Sequence, residues 1–362
     1  MKFKLLTSID EFPWNWIEEN RGNNIFLSTT YMQSWIRHHL RDAELECIIL
    51  SENSNTETVF PIVVSSERFL GKHLKIWRSI GWNTSWYPNI FMPSSRDTAR
   101  WFFSFLVDSI SSWDAVIIPC FDEGLVSGIR EIASDFCLPT FIRNYQVLPF
   151  LSINQSWEDY YRGLSKNLRK NIKRLLNKIE KSGRFAYQKA EDEQDLQKVI
   201  EVFIRMHNER WKSKGQQSKY ADIDRHRKFL RDITSALLRD DKLLLRYLTL
   251  DETIIAMAIC FCENGKIYYF LPTFDIRYDE LAPGKVLLYY IIKEGFDTGC
   301  CEFDLGPGND NYKWLWAMDK RTVTYLVVFH DSWRVWVRDN AIPKFKRTVK
   351  PIIKRLFPGL AR

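Results

Sequence analysis

Hydrophobic positions alternate between strand-like runs and helix-like spacings along most of the 362 residues. Short apolar runs between turn residues predict strands, and apolar residues that recur every three or four positions predict helices. The first block of the chain alternates the two kinds of element, which favours an α/β architecture around a largely continuous sheet. Its predicted elements are helices at 26–40, 96–110 and 125–136 and strands at 46–50, 59–64, 74–80, 114–119 and 146–153.

A second block opens near residue 150, where Ser156 and Asp159 have the spacing of a capping box. The strongest helical pattern follows, with an apolar stripe from Leu164 to Ile179 opposite a lysine- and arginine-rich face, and Gly183 ends it. The remaining predicted elements are strands at 185–189, 243–250, 254–262, 267–271, 301–305 and 322–329, helices at 195–211, 224–238 and 284–297, and a helical turn at 312–318.

The composition is that of a globular protein, with 45% hydrophobic and 27% charged residues. The length favours two domains, because single hydrophobic cores stop growing at about 250–300 residues. The net charge of +7 suits partners that carry phosphate, carboxylate or anionic lipid, although it is too small to indicate nucleic-acid binding alone. Seven cysteines without a Cys-x-x-Cys pair argue against a metal site and favour a reducing compartment.

The predicted division is a first domain at 1–150, a second at 151–330 and a tail at 331–362. No signal peptide or membrane span is recognisable, so we expect a cytoplasmic protein. From residue 341 onwards the tail has seven basic residues, no acid and interleaved apolar positions. Such a segment either lies on the anionic inner membrane or, because three prolines interrupt it, is a flexible end.

Four stretches of the second block resemble the GNAT acyltransferase fold by their order and spacing. They are most similar to the branch that contains the CelD/BcsL-type acetyltransferases of polysaccharide operons and the FemAB aminoacyltransferases. In the first block, WRSIGW at 77–82 and YPNIF at 87–91 fit the degenerate GNAT-like half of such proteins. The four stretches are LSKNLRKNIKR at 164–174, MHNERWKSKG at 206–215, YYFLPTFDIRYDELAPGKVLLYYII at 268–292 and FDLGPGNDNYKW at 303–314.

This resemblance implies an α/β protein of two tandem GNAT-like domains, with mixed sheets, flanking helices and an active site in the second domain. The implied activity is N- or O-acyl transfer from an acyl-CoA, with acetyl-CoA the expected donor, to a sugar or related precursor of a cell-surface polysaccharide. No metal is implied. Two alternatives stay open: a FemAB-like aminoacyltransferase that uses charged tRNA, and a non-catalytic scaffold with the GNAT fold.

The LAPGKVLL stretch predicts a helix that starts at Pro283, and a helix start binds phosphate through free N–H groups and the helix dipole. The resemblance places the coenzyme A pyrophosphate here, and the thioester beside strand groups that splay from their neighbour and stabilise an oxyanion. Leu281 and Val286 depart from the usual GNAT pattern, which keeps the tRNA alternative open. The expected acyl-CoA-binding residues are Phe270, Leu271, Leu281, Ala282, Pro283, Gly284 and Lys285.

The FDLGPGNDNYKWLW stretch has neither phosphate-loop spacing, so Lys313 is not read as a nucleotide-binding lysine. The resemblance makes Asp304 a candidate base. Lys313 would then neutralise either an anionic group of the substrate or the charge of Asp304. The alternative is that Asp304 and Lys313 form a structural ion pair. His207 is a second candidate base, since imidazole titrates near neutral pH, unless its role is structural. The expected substrate-binding residues are Arg169 and Lys170 on the basic helix, Trp211 for stacking, Asp275 and Tyr312.

Overall fold

The computed structural model describes residues 2–40, 43–52, 56–89, 95–110, 112–218, 220, 223–330 and 333–343. The chain forms two compact units, Met1–Gln146 with Thr322–Arg362, and Val147–Arg321. Of the predicted basic tail, residues 344–362 lie outside the described part.

The pattern of the sequence predicted most of the elements. In chain order the strands are β1 Lys2–Leu6, β2 Ala43–Glu52, β3 Thr56–Phe69, β4 Lys72–Ser79, β5 Ala115–Cys120, β6 Thr140–Ser152, β7 Phe185–Lys189, β8 Leu243–Leu250, β9 Thr253–Glu263, β10 Lys266–Phe274, β11 Glu302–Asp304 and β12 Asp319–Phe329. The α-helices are α1 Trp14–Asn20, α2 Thr29–His39, α3 Arg96–Ser109, α4 Glu123–Asp135, α5 Trp157–Gly163, α6 Lys166–Glu180, α7 Glu193–Ser213, α8 Asp224–Arg239, α9 Pro283–Asp297, α10 Asn311–Trp314 and α11 Trp333–Trp336. Each predicted element has a counterpart, whereas β1, α1 and α11 were not predicted, and of α5 the sequence indicated only the capping box at its start.

In the first unit, β1 to β4 form an antiparallel ladder and β5 runs parallel to β4. On the other side of β5, Thr324–Phe329 of β12 pairs in antiparallel register with Ala115–Cys120. Helices α3 and α4 cover one face, where Phe102 and Ile129 share a buried core with Trp77 and Val116. The strands and helices form this core together, because a single strand or helix cannot bury its apolar face by itself.

In the second unit, β7, β8, β9 and β10 are antiparallel neighbours, β11 is parallel to β10, and Phe150–Ser152 of β6 is antiparallel to β11. The core includes Ile172 of α6, Ile291 of α9 and Phe303 of β11. Both units therefore repeat one scheme: an antiparallel ladder, a helix, and a strand parallel to the last strand of the ladder.

The contact-based units differ from the predicted domain ranges at the second boundary. Residues from Thr322 onwards group with the first unit rather than with a domain at 151–330. The physical reason is the pairing of β12 with β5, which is about 200 residues away along the chain and leaves no local sequence signal. The assignment of a degenerate first domain and an active second domain stays a prediction.

Helix α6 shows how the local pattern became structure. The Ser165 hydroxyl accepts a hydrogen bond from the Leu168 N–H at 3.2 Å, which caps the first turn. The predicted apolar stripe is buried at Leu168, Ile172, Leu175 and Ile179. The opposite face carries the exposed cations, so the helix is oriented by burial of one face. No helix in the described part of the chain is both long enough and apolar enough to span a bilayer.

We predict that Ile172→Ala destabilises the protein by about 2–5 kcal/mol, because it removes a fully buried side chain and leaves a cavity in the core that α6 shares with α9. Urea denaturation followed by circular dichroism measures the change. Lys173→Ala, one position along on the exposed face, is the matched control and should change stability by less than about 0.5 kcal/mol. Equal effects of both substitutions would contradict the packing of α6.

Candidate active site

A cavity of about 170 Å³ lies in the second unit at the C-terminal end of β10. Its wall is formed by β10, the turn that follows, the start of α9, the end of α7 and α10. The lining residues are Arg210, Tyr269, Pro272, Thr273, Phe274, Asp279, Ala282, Gly284, Lys285 and Tyr312. Carboxyl ends of parallel strands are a common position for ligand sites in α/β folds.

The cavity exists because β10 and β11 stay paired for only a short distance. Three residue pairs join them, from Lys266 with Glu302 to Tyr268 with Asp304. The register between β10 and β9 then shifts between Tyr268 and Leu271, and β10 continues beside β9 to Phe274. This irregularity falls at the predicted splayed residues Phe270 and Leu271, although the cavity lining comes from their neighbours Tyr269 and Pro272.

The start of α9 forms the other wall. Ala282 adopts a left-handed conformation, with φ 47° and ψ 50°, and Pro283 opens the first turn. The Lys285 and Val286 N–H groups both donate to the Ala282 carbonyl, at 2.9 and 3.4 Å. A Cβ on Gly284 would lie 3.3 Å from Phe274 Cδ1, so glycine lets the helix approach the strand closely. Leu281 and Pro283 were predicted with these residues but lie outside the cavity lining.

Six polar side chains line the cavity: Arg210, Tyr269, Thr273, Asp279, Lys285 and Tyr312. Thr273 is 1% exposed, and its hydroxyl has no hydrogen-bond partner within the described part of the chain. The Arg210 guanidinium lies 4.5 Å from the Phe274 ring centroid and donates to the Pro272 carbonyl at 3.3 Å. Burial raises the pKa of Tyr312 to about 12 and the pKa of Tyr269 well above its ordinary value. Both hydroxyls therefore keep their protons at neutral pH.

His207 is held by neighbours and does not line the cavity. The Trp211 Nε1–H donates to His207 Nε2 at 3.0 Å, so Nδ1 carries the ring proton and donates it to the Ser218 hydroxyl at 2.8 Å. Burial, assisted by the positive charge of Arg210, lowers the pKa of His207 to about 4. This geometry disfavours His207 as a base for an acceptor and gives Trp211 a structural hydrogen bond.

Asp304 and Lys313 are likewise engaged within the fold. Asp304 is 0% exposed, accepts from the Gly306 N–H at 2.9 Å and lies 3.3 Å from Lys266 Nζ. Lys313 Nζ donates to the Gly306 and Pro307 carbonyls at 3.2 and 2.7 Å. Burial lowers the pKa of Lys313, although nearby carboxylates oppose the shift. Both groups contact the loop after β11, but the ion pairs join Asp304 to Lys266 and Lys313 to Asp310, which differs from the predicted Asp304–Lys313 pair. The catalytic roles of both stay predictions.

Of the other predicted substrate-binding residues, one lines the cavity and the others lie elsewhere in the fold. Asp275 caps the turn after β10 by accepting from the Arg277 N–H at 2.9 Å. Burial alone would raise the Asp275 pKa, but hydrogen bonds from Arg277 outweigh it and the pKa is lowered. Arg169 donates to the Leu164 carbonyl at 3.1 Å, and Lys170 is exposed on α6. Of this set, the cavity lining contains Tyr312.

Sequence reasoning missed six lining residues: Arg210, Tyr269, Pro272, Thr273, Phe274 and Asp279. A signal existed for Arg210, which lies within the MHNERW stretch three residues after His207. Tyr269, Thr273 and Phe274 belong to the YYFLPTF strand, but the bulge changes which of its residues face the cavity, so alternation alone could not select them. Asp279 lies in the turn before α9, where no periodic pattern assigns a direction to a side chain.

The comparisons with known proteins support the fold of the chain. Residues 166–314 match the family model for the acetyltransferase (GNAT) domain. No curated protein sequence matches the chain. Among solved structures, FemX is similar with a TM-score of 0.61 at 10% identity, over 92% of this chain and 98% of that one.

Two further structures cover nearly the whole chain. A tandem GNAT protein from the clavulanic acid biosynthesis pathway has a TM-score of 0.51 at 8% identity, over 91% of this chain and all of that one. The C-terminal domain of a protein described as a lysylphosphatidylglycerol synthetase, from Agrobacterium fabrum, has a TM-score of 0.52 at 12% identity, over 93% and 95%. The predicted fold of two tandem GNAT-like domains is confirmed, and so is the prediction that the protein is an acyltransferase.

We predict a pH dependence of stability that comes from His207. The unfolded chain binds a proton here near pH 6.5 and the native protein only near pH 4, so stability present above pH 6.5 is lost as the pH falls through this window. The loss is about 3 kcal/mol. Urea denaturation of wild type and His207→Gln from pH 4 to 7 should show a stability difference that shrinks toward pH 4. The exposed His73→Gln is the control, and a constant His207→Gln difference would refute the buried neutral imidazole.

Proposed function

We propose that the protein transfers an acyl group from an acyl-CoA, with acetyl-CoA the expected donor, to an amine or hydroxyl of a sugar precursor of a cell-surface polysaccharide. The observation that carries the proposal is the position of the cavity. It lies between the start of α9, which suits a phosphate, and the diverging strand β10, which suits a thioester and its pantetheine arm.

The residues at the start of α9 fit the donor. Pro283 has no N–H, and the described residues include no acceptor for the Gly284 N–H. Free N–H groups at a helix start and the helix dipole bind phosphate, and the Lys285 side chain adds a positive charge beside them. We propose Gly284 and Lys285 as the pyrophosphate-binding residues, with Ala282 completing the turn.

The volume of the cavity indicates which part of an acyl-CoA would fit inside it. At about 170 Å³ it is smaller than the 300–1,000 Å³ of typical sites for drug-sized ligands. It therefore suits the reacting end of an acyl-CoA, while the nucleotide lies outside. The buried Thr273 hydroxyl, without a partner in the described residues, fits a polar group of that end.

The bound donor supplies an acyl group on a good leaving group, the thiolate. The chain's part is to bind and orient it, to donate hydrogen bonds to the oxyanion from β10 and Thr273, and to provide a proton to the departing sulfur. We propose Tyr312 as that proton source, because its hydroxyl stays protonated at neutral pH and lines the cavity. Arg210 and Asp279 are the charged groups that face an incoming acceptor.

In this proposal, the base that deprotonates the acceptor is neither Asp304 nor His207. Both side chains are buried in hydrogen bonds within the fold, and the Asp279 carboxylate lines the cavity instead. We propose that the Asp279 carboxylate binds the acceptor and takes the proton that its amine or hydroxyl loses on attack, and that Asp304 and Lys313 hold the loop that carries Tyr312.

The acceptor class rests on the resemblance to the branch with CelD/BcsL-type enzymes. A FemAB-like transfer of an amino acid from charged tRNA is the alternative. In its support, similar structures include FemX and a protein named for lysylphosphatidylglycerol synthesis, and α6 presents an exposed basic face. The third candidate is a non-catalytic scaffold with the GNAT fold, which an assay of acyl transfer distinguishes from an enzyme.

We predict that acetyl-CoA raises the melting temperature of the wild type by several degrees at about 100-fold above Kd, since binding then adds about 2.7 kcal/mol of stability. Gly284→Val should abolish the shift, because its side chain meets Phe274 at the cavity wall. Gly163→Val is the matched control, since a Cβ at Gly163 has open space. A shift with aminoacyl-tRNA that falls steeply with salt, and none with acetyl-CoA, would replace our proposal by the alternative.

We predict that Tyr312→Phe lowers kcat about 100-fold with little change in the KM for acetyl-CoA, since it removes a proton donor and keeps the ring. Release of the free thiol from acetyl-CoA, with and without glucosamine as a probe acceptor, measures the rate. Tyr290→Phe in α9, outside the cavity lining, is the control. Acetyl-CoA binding without thiol release for any amino sugar or hydroxyl acceptor would favour the scaffold.

A further inference from the structure

The first unit contains a cavity of its own, of about 410 Å³. It lies where the parallel strands β4 and β5 stop pairing, after Ile76 with Ala115 and Trp77 with Val116. Arg78 and Ser79, the next residues of β4, line it, as do Ile117 and Pro119 of β5. The candidate active site of the second unit has the corresponding position. Each cavity lies where the first strand of the parallel pair, β4 or β10, diverges from the second.

Arg78 is the group that gives this cavity its chemistry. It is 3% exposed, and its Nη1 lies 2.5 Å from Glu67 Oε1. Its Cζ lies 4.3 Å from the centroid of the Trp82 ring, so the indole fixes the plane of the guanidinium. Its Nε has no hydrogen-bond partner in the described part of the chain. A buried guanidinium N–H without an acceptor is costly, and a bound anion would satisfy it.

The charges around Arg78 favour an anion. Burial lowers the Arg78 pKa and Glu67 opposes this, while the charges of Arg143 and Arg338 lower it further, so three guanidinium groups lie within electrostatic range. Two carboxylates balance them, because Arg338 pairs with Glu67 at 2.7 Å and with Asp339. Three positive and two negative charges leave one positive charge. Arg143 is the loosest of the cations, with its Nε 3.5 Å from Asp339 Oδ1 and 36% of its side chain exposed.

The rest of the lining is polar or aromatic. Asn144, Gln146 and Tyr325 contribute amide and hydroxyl groups, and the Tyr325 hydroxyl donates to Gln146 Oε1 at 3.1 Å. Trp82 is 40% exposed, so part of its ring is available for stacking. A volume of about 410 Å³ exceeds what a single inorganic oxyanion fills and falls in the range of sites for small organic molecules.

We propose that this cavity is a second binding site, for a monosaccharide-sized organic anion whose carboxylate or phosphate group is bound between Arg78 and Arg143. Arginine is suited to both groups, because its planar fork donates two parallel hydrogen bonds to paired oxygens. The neutral part of the ligand would contact Trp82 and the amides of Asn144 and Gln146. The site goes beyond the proposed transferase activity and does not depend on it, since all its lining residues belong to the first unit.

Isothermal titration of the full chain with glucose 1-phosphate, glucuronate, glucose and inorganic phosphate tests the proposal. We expect at least one of the two sugar anions to bind, glucose not to bind, and inorganic phosphate to bind more weakly than the preferred sugar anion. The pair of sugar anions distinguishes a phosphate from a carboxylate ligand. Acetyl-CoA is absent, so failure here leaves the proposed acyl transfer unaffected.

Arg143→Gln should weaken binding of the preferred anion at least about tenfold, because a charge-assisted hydrogen bond is lost. Its side chain is partly exposed and loosely paired, so the variant should fold. Arg78→Lys keeps the positive charge, removes the Nε–H, and should weaken binding similarly. Arg100→Gln removes an equal charge from an exposed ion pair on α3 and should leave binding unchanged. Absence of anion binding, or equal affinity of wild type, Arg143→Gln and Arg78→Lys, would overturn the proposal.

Discussion

Lys266 bridges two carboxylates across the short parallel pairing of β10 and β11, and the candidate site depends on this contact. Its Nζ lies 2.8 Å from Glu302 and 3.3 Å from Asp304, and Arg321 pairs with Glu302 from β12. These ion pairs hold the two strands together for three residue pairs, after which the bulge in β10 carries its end toward the start of α9. Because breaking one partner of a buried ion pair leaves an uncompensated charge, this cluster is a strong structural constraint on β10 and β11.

Each unit has a gap where two parallel strands stop pairing, and different groups line the gap in each. In the second unit, the gap after the parallel pairing is bordered by a helix start, whose backbone N–H groups and dipole suit a phosphate. In the first unit, the corresponding gap is lined by arginine side chains, and one of them has a buried N–H without an acceptor in the described residues. Divergence of parallel strands thus creates the space in each unit, while the residues next to it determine what the space can bind.

Some of the predicted site residues are hydrogen-bonded within the fold, whereas other residues line the cavity. His207 gives its lone pair to Trp211, and Lys313 gives its ammonium protons to loop carbonyls, so each is occupied before a substrate arrives. Thr273, Tyr312 and Asp279 line the cavity, where a ligand can contact them. Titratable residue type therefore did not indicate which side chains line the cavity, because the same burial that shifts a pKa also brings internal hydrogen-bond partners.

The sequence by itself predicted most of the elements and their order, and its resemblance to the GNAT fold predicted the acyltransferase class. Local rules were sufficient for α6, whose cap and apolar stripe appear as predicted, and for the helix start at Pro283. The order of motifs was sufficient for the fold, which the family match at 166–314 supports. Tertiary structure alone decided that the chain from Thr322 onwards groups with the first unit, which side chains of β10 face the cavity, and that Asp304 and His207 are hydrogen-bonded internally. The reason is that strand pairing, bulges and buried hydrogen bonds join residues far apart along the chain, and no local pattern of hydrophobic and polar positions encodes such partners.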